Sequence, residues 1–213
     1  GLWTVDDVSK YRLVGVDASG LELRCLAHYM NDPEYTNIVL TGDVHTANQE
    51  RAGLKTRDQA KTFIYAFLYG AGAAKIGKVV GGTAKHGQQL ITRFLNNMPA
   101  LKHLRMLVSK EAAGDTIKAL DGRLLHIRSE HAALNTLLQG AGAIVCKQWL
   151  VHIMERVIKA KLDVRLVASI HDEYQFEVAI PDIERFCRLT KEAMTQTTKT
   201  LKMKCELDCD YKV

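Results

Sequence analysis

Val164-Arg-Leu-Val-Ala-Ser-Ile-His-Asp-Glu-Tyr-Gln-Phe-Glu-Val-Ala-Ile180 reads as two β-strands joined at an acidic tip. The run from Val164 to Ile170 is rich in strand-forming residues, and His171-Asp172-Glu173 interrupts it. Tyr174, Phe176, Val178 and Ile180 then alternate with polar positions, the period of a half-buried strand. Tyr11-Arg-Leu-Val-Gly-Val16 is a second buried strand candidate, and it too runs into a carboxylate, Asp17. A last strand closes the chain.

Helical patterns fill the space between. After Asp17 and Gly20, the residues Leu23, Leu26, Ala27 and Met30 recur at helical spacing. Residues 31–54 are mixed. Thr56 opens a clear helix, with Gln59 placed for a capping box and Gly70 as a stop. Gly81-Gly82 marks a turn before a further helical stretch through about Lys110, and Asp121-Gly122 is a two-residue turn signal. A long helix is expected from near His131 towards Lys161. Pro181 suits the first turn of another, with Ile183, Phe186 and Cys187 on its apolar face. This order predicts an α+β fold, a small antiparallel sheet carrying a helical insertion.

Composition sets the bounds. The 213 residues are 47% hydrophobic, enough for one sizeable core or two small ones. No run of about 18 apolar residues occurs, so no membrane span is expected. No basic segment followed by an apolar one opens the chain, so no secretory signal is expected. The net charge of +5, from 29 basic and 24 acidic residues, is compatible with a polyanionic partner but does not require one. The cysteines are Cys25, Cys146, Cys187, Cys205 and Cys209, without a C-x-x-C pair, and read as reduced thiols in a cytoplasmic setting. If the alternating segment Lys202 to Cys209 is a strand, Cys205 and Cys209 share a face roughly 13 Å apart, too far for a disulfide.

Three groups of residues could carry chemistry. Asp17, Asp172 and Glu173 sit at strand ends, where a rigid sheet can converge carboxylates on hard cations; two Mg²⁺ ions so held could serve phosphoryl chemistry. The alternative is that Asp17 caps the following helix and Asp172-Glu173 is a solvated turn. Arg57, Lys61, Tyr65 and Tyr69 recur every four residues and form one helical stripe. Two cations followed by two aromatics match a triphosphate followed by a sugar and base, or else a solvated basic helix end with half-buried tyrosines. His131, Asn135 and Gln139 form a polar stripe that could touch a duplex minor groove or serve helix-to-helix hydrogen bonding.

Together these segments resemble family A DNA polymerases. Asp17-Ala-Ser-Gly-Leu-Glu-Leu-Arg24 is similar to that family's motif A. Arg57-Asp-x-Ala-Lys-x-Phe-x-Tyr-x-x-x-Tyr-Gly70 is similar to motif B, and Val167-Ala-Ser-Ile-His-Asp-Glu173 to motif C, in the family's order. The Ala-Ser-Gly form of motif A, with Phe67-Leu-Tyr-Gly-Ala-Gly72 and His131-Ala-Ala-Leu-Asn-Thr-Leu-Leu-Gln139, most resembles the replicative enzymes of short-tailed phages. The resemblance implies a polymerase palm with an inserted fingers subdomain: palm over 1–30 and 131–213, fingers over 31–130, the motif B helix over 56–70. It implies DNA-templated DNA synthesis by two-metal nucleotidyl transfer, in the cytoplasm of a phage-infected bacterium. Asp17 and Asp172 would be the Mg²⁺ ligands with the Ala18 carbonyl, and Glu173 an auxiliary acid. His45, Arg57 and Lys61 would hold the incoming dNTP, Lys61 nearest the leaving pyrophosphate. Tyr65 would pack on the sugar, with Glu22 hydrogen-bonded to it and closing the space of a 2′-hydroxyl. Tyr69 would stack by the templating base. Asn135, Gln139 and His131 would contact primer-template DNA, and His171 the primer end. Tyrosine at 65 implies acceptance of dideoxynucleotides.

Parts of the family pattern lie outside these residues. A thumb and an exonuclease domain do not fit before Asp17, the segment between Lys110 and Asp121 is short, and no Gly-x-x-Trp follows Tyr211. The chain opens at Gly1. Three readings follow: a piece of a longer polymerase, the C-terminal half of a split polymerase completed by a thumb- and exonuclease-bearing chain, or a non-catalytic DNA- or nucleotide-binding remnant. The intact motifs argue against the last.

Overall fold

The computed structural model describes residues 4–129 and 132–213. Contacts divide the chain into two compact units, one of Gly1–Cys25 with Ala141–Val213 and one of Leu26–Gly140.

In the first unit, β1 (Tyr11–Ala18), β4 (Val164–Ile170), β5 (Glu173–Ala179) and β6 (Cys209–Lys212) form an antiparallel sheet in the order β4-β5-β1-β6. The α+β expectation holds. Alternation along β1 and β5 sends Val14, Val16 and Ala18, and Tyr174, Phe176 and Val178, into the core. That face is closed by α8 (Ala133–Ala160) and α9 (Ile183–Thr200). The Trp149 ring lies 5.7 Å from Tyr174, and Phe186 lies 4.9 Å from Phe176. Ile180 departs from the expected alternation: it begins a short 3₁₀ turn with Pro181 and is exposed. The segment before Cys209 is not a strand either. β6 starts only at Cys209, so Cys205 and Cys209 do not share a strand face, although both thiols are buried. All five cysteines are free.

At the β4 edge, a register shift between Leu166 and Ala168 makes a bulge. Arg165 beside it reaches the buried Glu177 at 2.9 Å, Asp6 at 3.4 Å and Asp163 at 3.8 Å. Asp6 also donates its backbone N–H to Glu177 at 2.7 Å. The segment before β1 is thereby tied to the sheet.

The second unit is helical. The mixed stretch 31–54 holds α2 (Pro33–Thr41) and α3 (Val44–Ala52), each begun by an aspartate cap, Asp32 and Asp43. Next come α4 (Arg57–Leu68), α5 (Ala73–Val79), α6 (Ala84–Asn96) and α7 (Pro99–Ala112). The single helical stretch expected up to Lys110 is thus two helices, broken before Pro99. Thr56 caps α4 by accepting from Gln59 N–H at 3.2 Å. A small hairpin, β2 (Thr116–Lys118) with β3 (Leu124–His126), turns at Asp121-Gly122 as expected, Gly122 having φ 89°. Phe63, Phe67 and Phe94 form the aromatic centre.

α5 and α6 touch backbone to backbone. A Cβ at Gly87 would fall 2.0 Å from the Ala73 carbonyl oxygen, and one at Gly77 would fall 2.1 Å from that of Thr83. Glycine to alanine inside a helix ordinarily stabilises by about 0.5–1 kcal/mol. Gly87→Ala is expected to do the reverse and destabilise this unit by about 1–3 kcal/mol, because the obstacle is rigid backbone. Chemical denaturation followed by circular dichroism reads the sign; a stabilised variant contradicts the close contact.

Candidate active site

β1 places Asp17 on the sheet face opposite the core. Its cross-strand partners are Glu173 on β5 and Asp210 on β6, so three carboxylates stand in one row across the sheet. Leu13, Gly15 and Gln175 continue this face, which lines an open recess of about 490 Å³. The β4–β5 hairpin turns on two residues, His171 and Asp172, with His171 exposed at φ 54°. The Ala18 N–H donates to the Asp172 carbonyl at 3.1 Å, holding the hairpin tip against the end of β1. Gly15 leaves room for Gln175, which donates to the Glu173 carboxylate. Asp17 does not cap α1 (Leu21–Met30): it lies within the strand, and Gly20 with φ 57° precedes the helix.

This row repels itself. The Asp17 carboxyl is pushed above the ordinary range, first by partial burial and then by Asp172, Glu173, Asp210 and Glu22. No three His, Cys, Asp or Glu side chains among the described residues are gathered closely enough to enclose a metal ion. Mg²⁺ needs no such cage: it ordinarily takes one or two carboxylates and completes its shell with water and substrate phosphates. An oxygen-only, mutually repelling, half-open donor set fits that ion.

The second unit assembles the motif B stripe. Arg57, Lys61 and Tyr69 are exposed and Tyr65 is half-buried, while Phe63, Ile64, Phe67 and Leu68 face the core. Tyr65 and Tyr69 stack at 6.4 Å, 25° apart in plane. His45, on α3, lies 6.0 Å from the Tyr65 ring. Burial, then the Arg57 charge, holds its imidazole below the usual range. The sequence reading missed Asp43. Its carboxylate accepts from Arg57 Nε at 2.6 Å while capping α3, and Arg57 holds it well below the usual carboxylate range. An aspartate just before a helix start was the available signal. Asp210 was also missed; its signal is the alternation Leu207-Asp208-Cys209-Asp210. Ser19 Oγ donates to Asp210 at 2.8 Å.

Asn135 and Gln139 lie on the first turns of α8; Asn135 Oδ1 is buried and has no partner among the described residues, and Gln139 is exposed. Glu22 is half-buried in the first turn of α1. His131 lies outside the described residues.

The fold is that of a DNA polymerase domain, a palm sheet with an inserted helical fingers subdomain. A solved structure of the POL domain of Pol1 from M. smegmatis, in complex with DNA primer-template and dNTP, matches with a TM-score of 0.81 at 22% identity, covering 93% of this chain and 39% of that one. The chain belongs to DNA polymerase family A, whose model matches residues 5–213. It is 44% identical to the DNA-directed DNA polymerases of Enterobacteria phage T3 and Escherichia phage T7, over 93% of this chain and 32% of each relative. It is 27% identical to DNA polymerase I of Geobacillus stearothermophilus, over 25% of that protein. The chain therefore spans about a third or less of the length of these relatives. No helix of the described residues is long and apolar enough to cross a membrane.

Proposed function

We propose that this chain carries the nucleotide-adding centre of a DNA-templated DNA polymerase, joining a dNTP to a primer 3′-hydroxyl. The observation that carries the reading is the row Glu173–Asp17–Asp210, with the Asp172 backbone bonded at Ala18, on the open face of a family A palm sheet.

Asp17 and Asp172, with the Ala18 carbonyl, would hold two Mg²⁺ ions, and Glu173 would assist. Bound there, the ions supply positive charge to activate the primer oxygen and neutralise the phosphates. In the fingers, Arg57, Lys61 and His45 bind the triphosphate, with Lys61 nearest the leaving pyrophosphate. Asp43 orients Arg57 for this task through its 2.6 Å ion pair. Tyr65 packs on the sugar and Tyr69 by the templating base. Glu22 would exclude a 2′-hydroxyl. His131, Asn135, Gln139 and His171 contact primer-template DNA. Residues 1–30 and 131–213 serve as palm and 31–130 as fingers.

Grip on the duplex comes from further chain, either an N-terminal part of the same polypeptide or a separate thumb- and exonuclease-bearing partner; the threefold greater length of the relatives supports this. The site of action is the cytoplasm of a phage-infected host. Primer extension by the chain, alone and with a thumb-bearing product, tests the reading. Incorporation that appears or rises with the partner is expected; DNA binding without incorporation in both settings favours the non-catalytic remnant. Because position 65 is tyrosine, ddTTP is expected to terminate synthesis opposite template adenine, and read-through on sequencing gels contradicts the Tyr65 role.

A further inference from the structure

Residues 59–110 contain eight Lys and Arg and no Asp or Glu, where the chain's average would place about six acidic residues. A basic run is usually neutralised by carboxylates facing it from elsewhere. Among the described residues, none of these eight cations has a carboxylate oxygen within 4.0 Å. Lys75 and Lys78 on α5, Lys85 and Arg93 on α6, and Lys102 on α7 are all exposed.

The charge has a shaped surface beneath it. Lys85, Gln88, Gln89, Thr92, Arg93 and Asn96 follow one another along the outward side of α6, and with Asn97 they line an open groove of about 640 Å³. Every lining side chain is a cation, an amide or a hydroxyl. Few of these groups are committed internally: Gln88 reaches Thr92 and Lys102 reaches Asn96 only at 3.4 Å, while Asn97 bonds the Arg51 carbonyl at 2.8 Å. At about 1.5 Å rise per residue, Lys85 to Asn96 spans about 16 Å, enough for two or three phosphates of one extended strand. The backbone contacts at Gly77 and Gly87 make α5 and α6 a stiff platform.

We propose that the outward face of α6, with the neighbouring lysines of α5 and α7, is a sequence-independent binding surface for the sugar–phosphate backbone of single-stranded DNA. Uncommitted cations attract the phosphates, and the amides and hydroxyl donate to phosphate and sugar oxygens. A protein partner fits worse, because the centre of a protein interface is depleted in charged residues and enriched in aromatic ones, whereas the described lining residues are cations, amides and a hydroxyl. Among the described residues no aromatic ring lines it, so it reads backbone and not bases. The surface uses neither the carboxylate row nor the α4 stripe.

The test is fluorescence anisotropy of the full chain with a labelled oligo(dT) of about sixteen nucleotides, in EDTA and without dNTP, so that a failed polymerase reading does not affect it. The variant Lys78→Gln/Lys85→Gln/Lys102→Gln is compared with Lys55→Gln/Lys118→Gln/Lys159→Gln, which loses the same charge elsewhere. Equal thermal midpoints for both variants and the parent chain establish folding. At about 50 mM salt the first variant is expected to bind at least about tenfold more weakly, with a salt slope lower by about 2, and the second within about twofold of the parent. Equal weakening in both variants, no change in the first, or equally tight and equally lysine-dependent binding of duplex DNA or a poly-glutamate peptide would each overturn the proposal.

Discussion

Asp172→Asn is expected to lower single-nucleotide incorporation at least about a thousandfold while changing primer-template affinity less than about threefold. The substitution keeps the size and hairpin geometry of the side chain and removes one formal charge. The contact that seats the hairpin, Ala18 N–H to the residue 172 carbonyl at 3.1 Å, is made by backbone and survives. What disappears is half of the proposed Mg²⁺ ligand pair. Near-normal extension by the variant would exclude Asp172 from that role.

A stability measurement accompanies it and has the opposite sign. Asp17 has its folded-state pKa raised by burial and by its acidic neighbours, Asp172 first among them. A carboxyl with a raised folded pKa favours folding fully below its unfolded value and loses that contribution as pH rises through the folded value. At pH 7 the crowded, ionised row therefore opposes folding. Without Mg²⁺, Asp172→Asn is expected to melt at or above the parent chain at pH 7, with the difference shrinking towards pH 4. An inactive variant of undiminished stability separates a chemical role from a structural one; a lower midpoint at pH 7 would show that the charge supports the fold.

Trp149→Ala is the largest expected stability effect, about 3–5 kcal/mol. The ring is fully buried on α8 and packs against Tyr174, the residue after Glu173. Its Nε1–H donates to the Thr190 carbonyl at 3.0 Å, tying α8 to α9 behind the sheet. Truncation leaves a large cavity and removes this side-chain bond between α8 and α9. Trp149→Phe keeps most of the volume and is expected to cost about 1–2 kcal/mol. Urea unfolding followed by far-ultraviolet circular dichroism gives both values, and a loss below about 1 kcal/mol for Trp149→Ala would mean that this packing contributes little.

The sheet strands, the long α8 and the capped α4 were legible because each carries a strong local period or cap. Residues 31–54 were not. α2 and α3 are short, and their apolar positions are too few for a clear stripe; their legible feature was the pair of aspartate caps. The break between α6 and α7 was signalled by Pro99 alone. β6 was expected too early because the polar–apolar alternation starts before the ladder does: Lys202 to Asp208 alternate without a neighbouring strand to pair with.

Local sequence determined the elements and the order of the three motifs, because side-chain period, caps and turn residues act within a few positions along the chain. It also determined that Arg57, Lys61, Tyr65 and Tyr69 share a helix face. Tertiary structure alone decided that Glu173, Asp17 and Asp210 stand in one row, since strand register depends on which residues the core buries and on hydrogen bonds between distant segments. It likewise decided that Asp43 holds Arg57 and that, among the described residues, no carboxylate answers the cations around α6. These are matters of distance across the fold, and sequence separation carries no information about them.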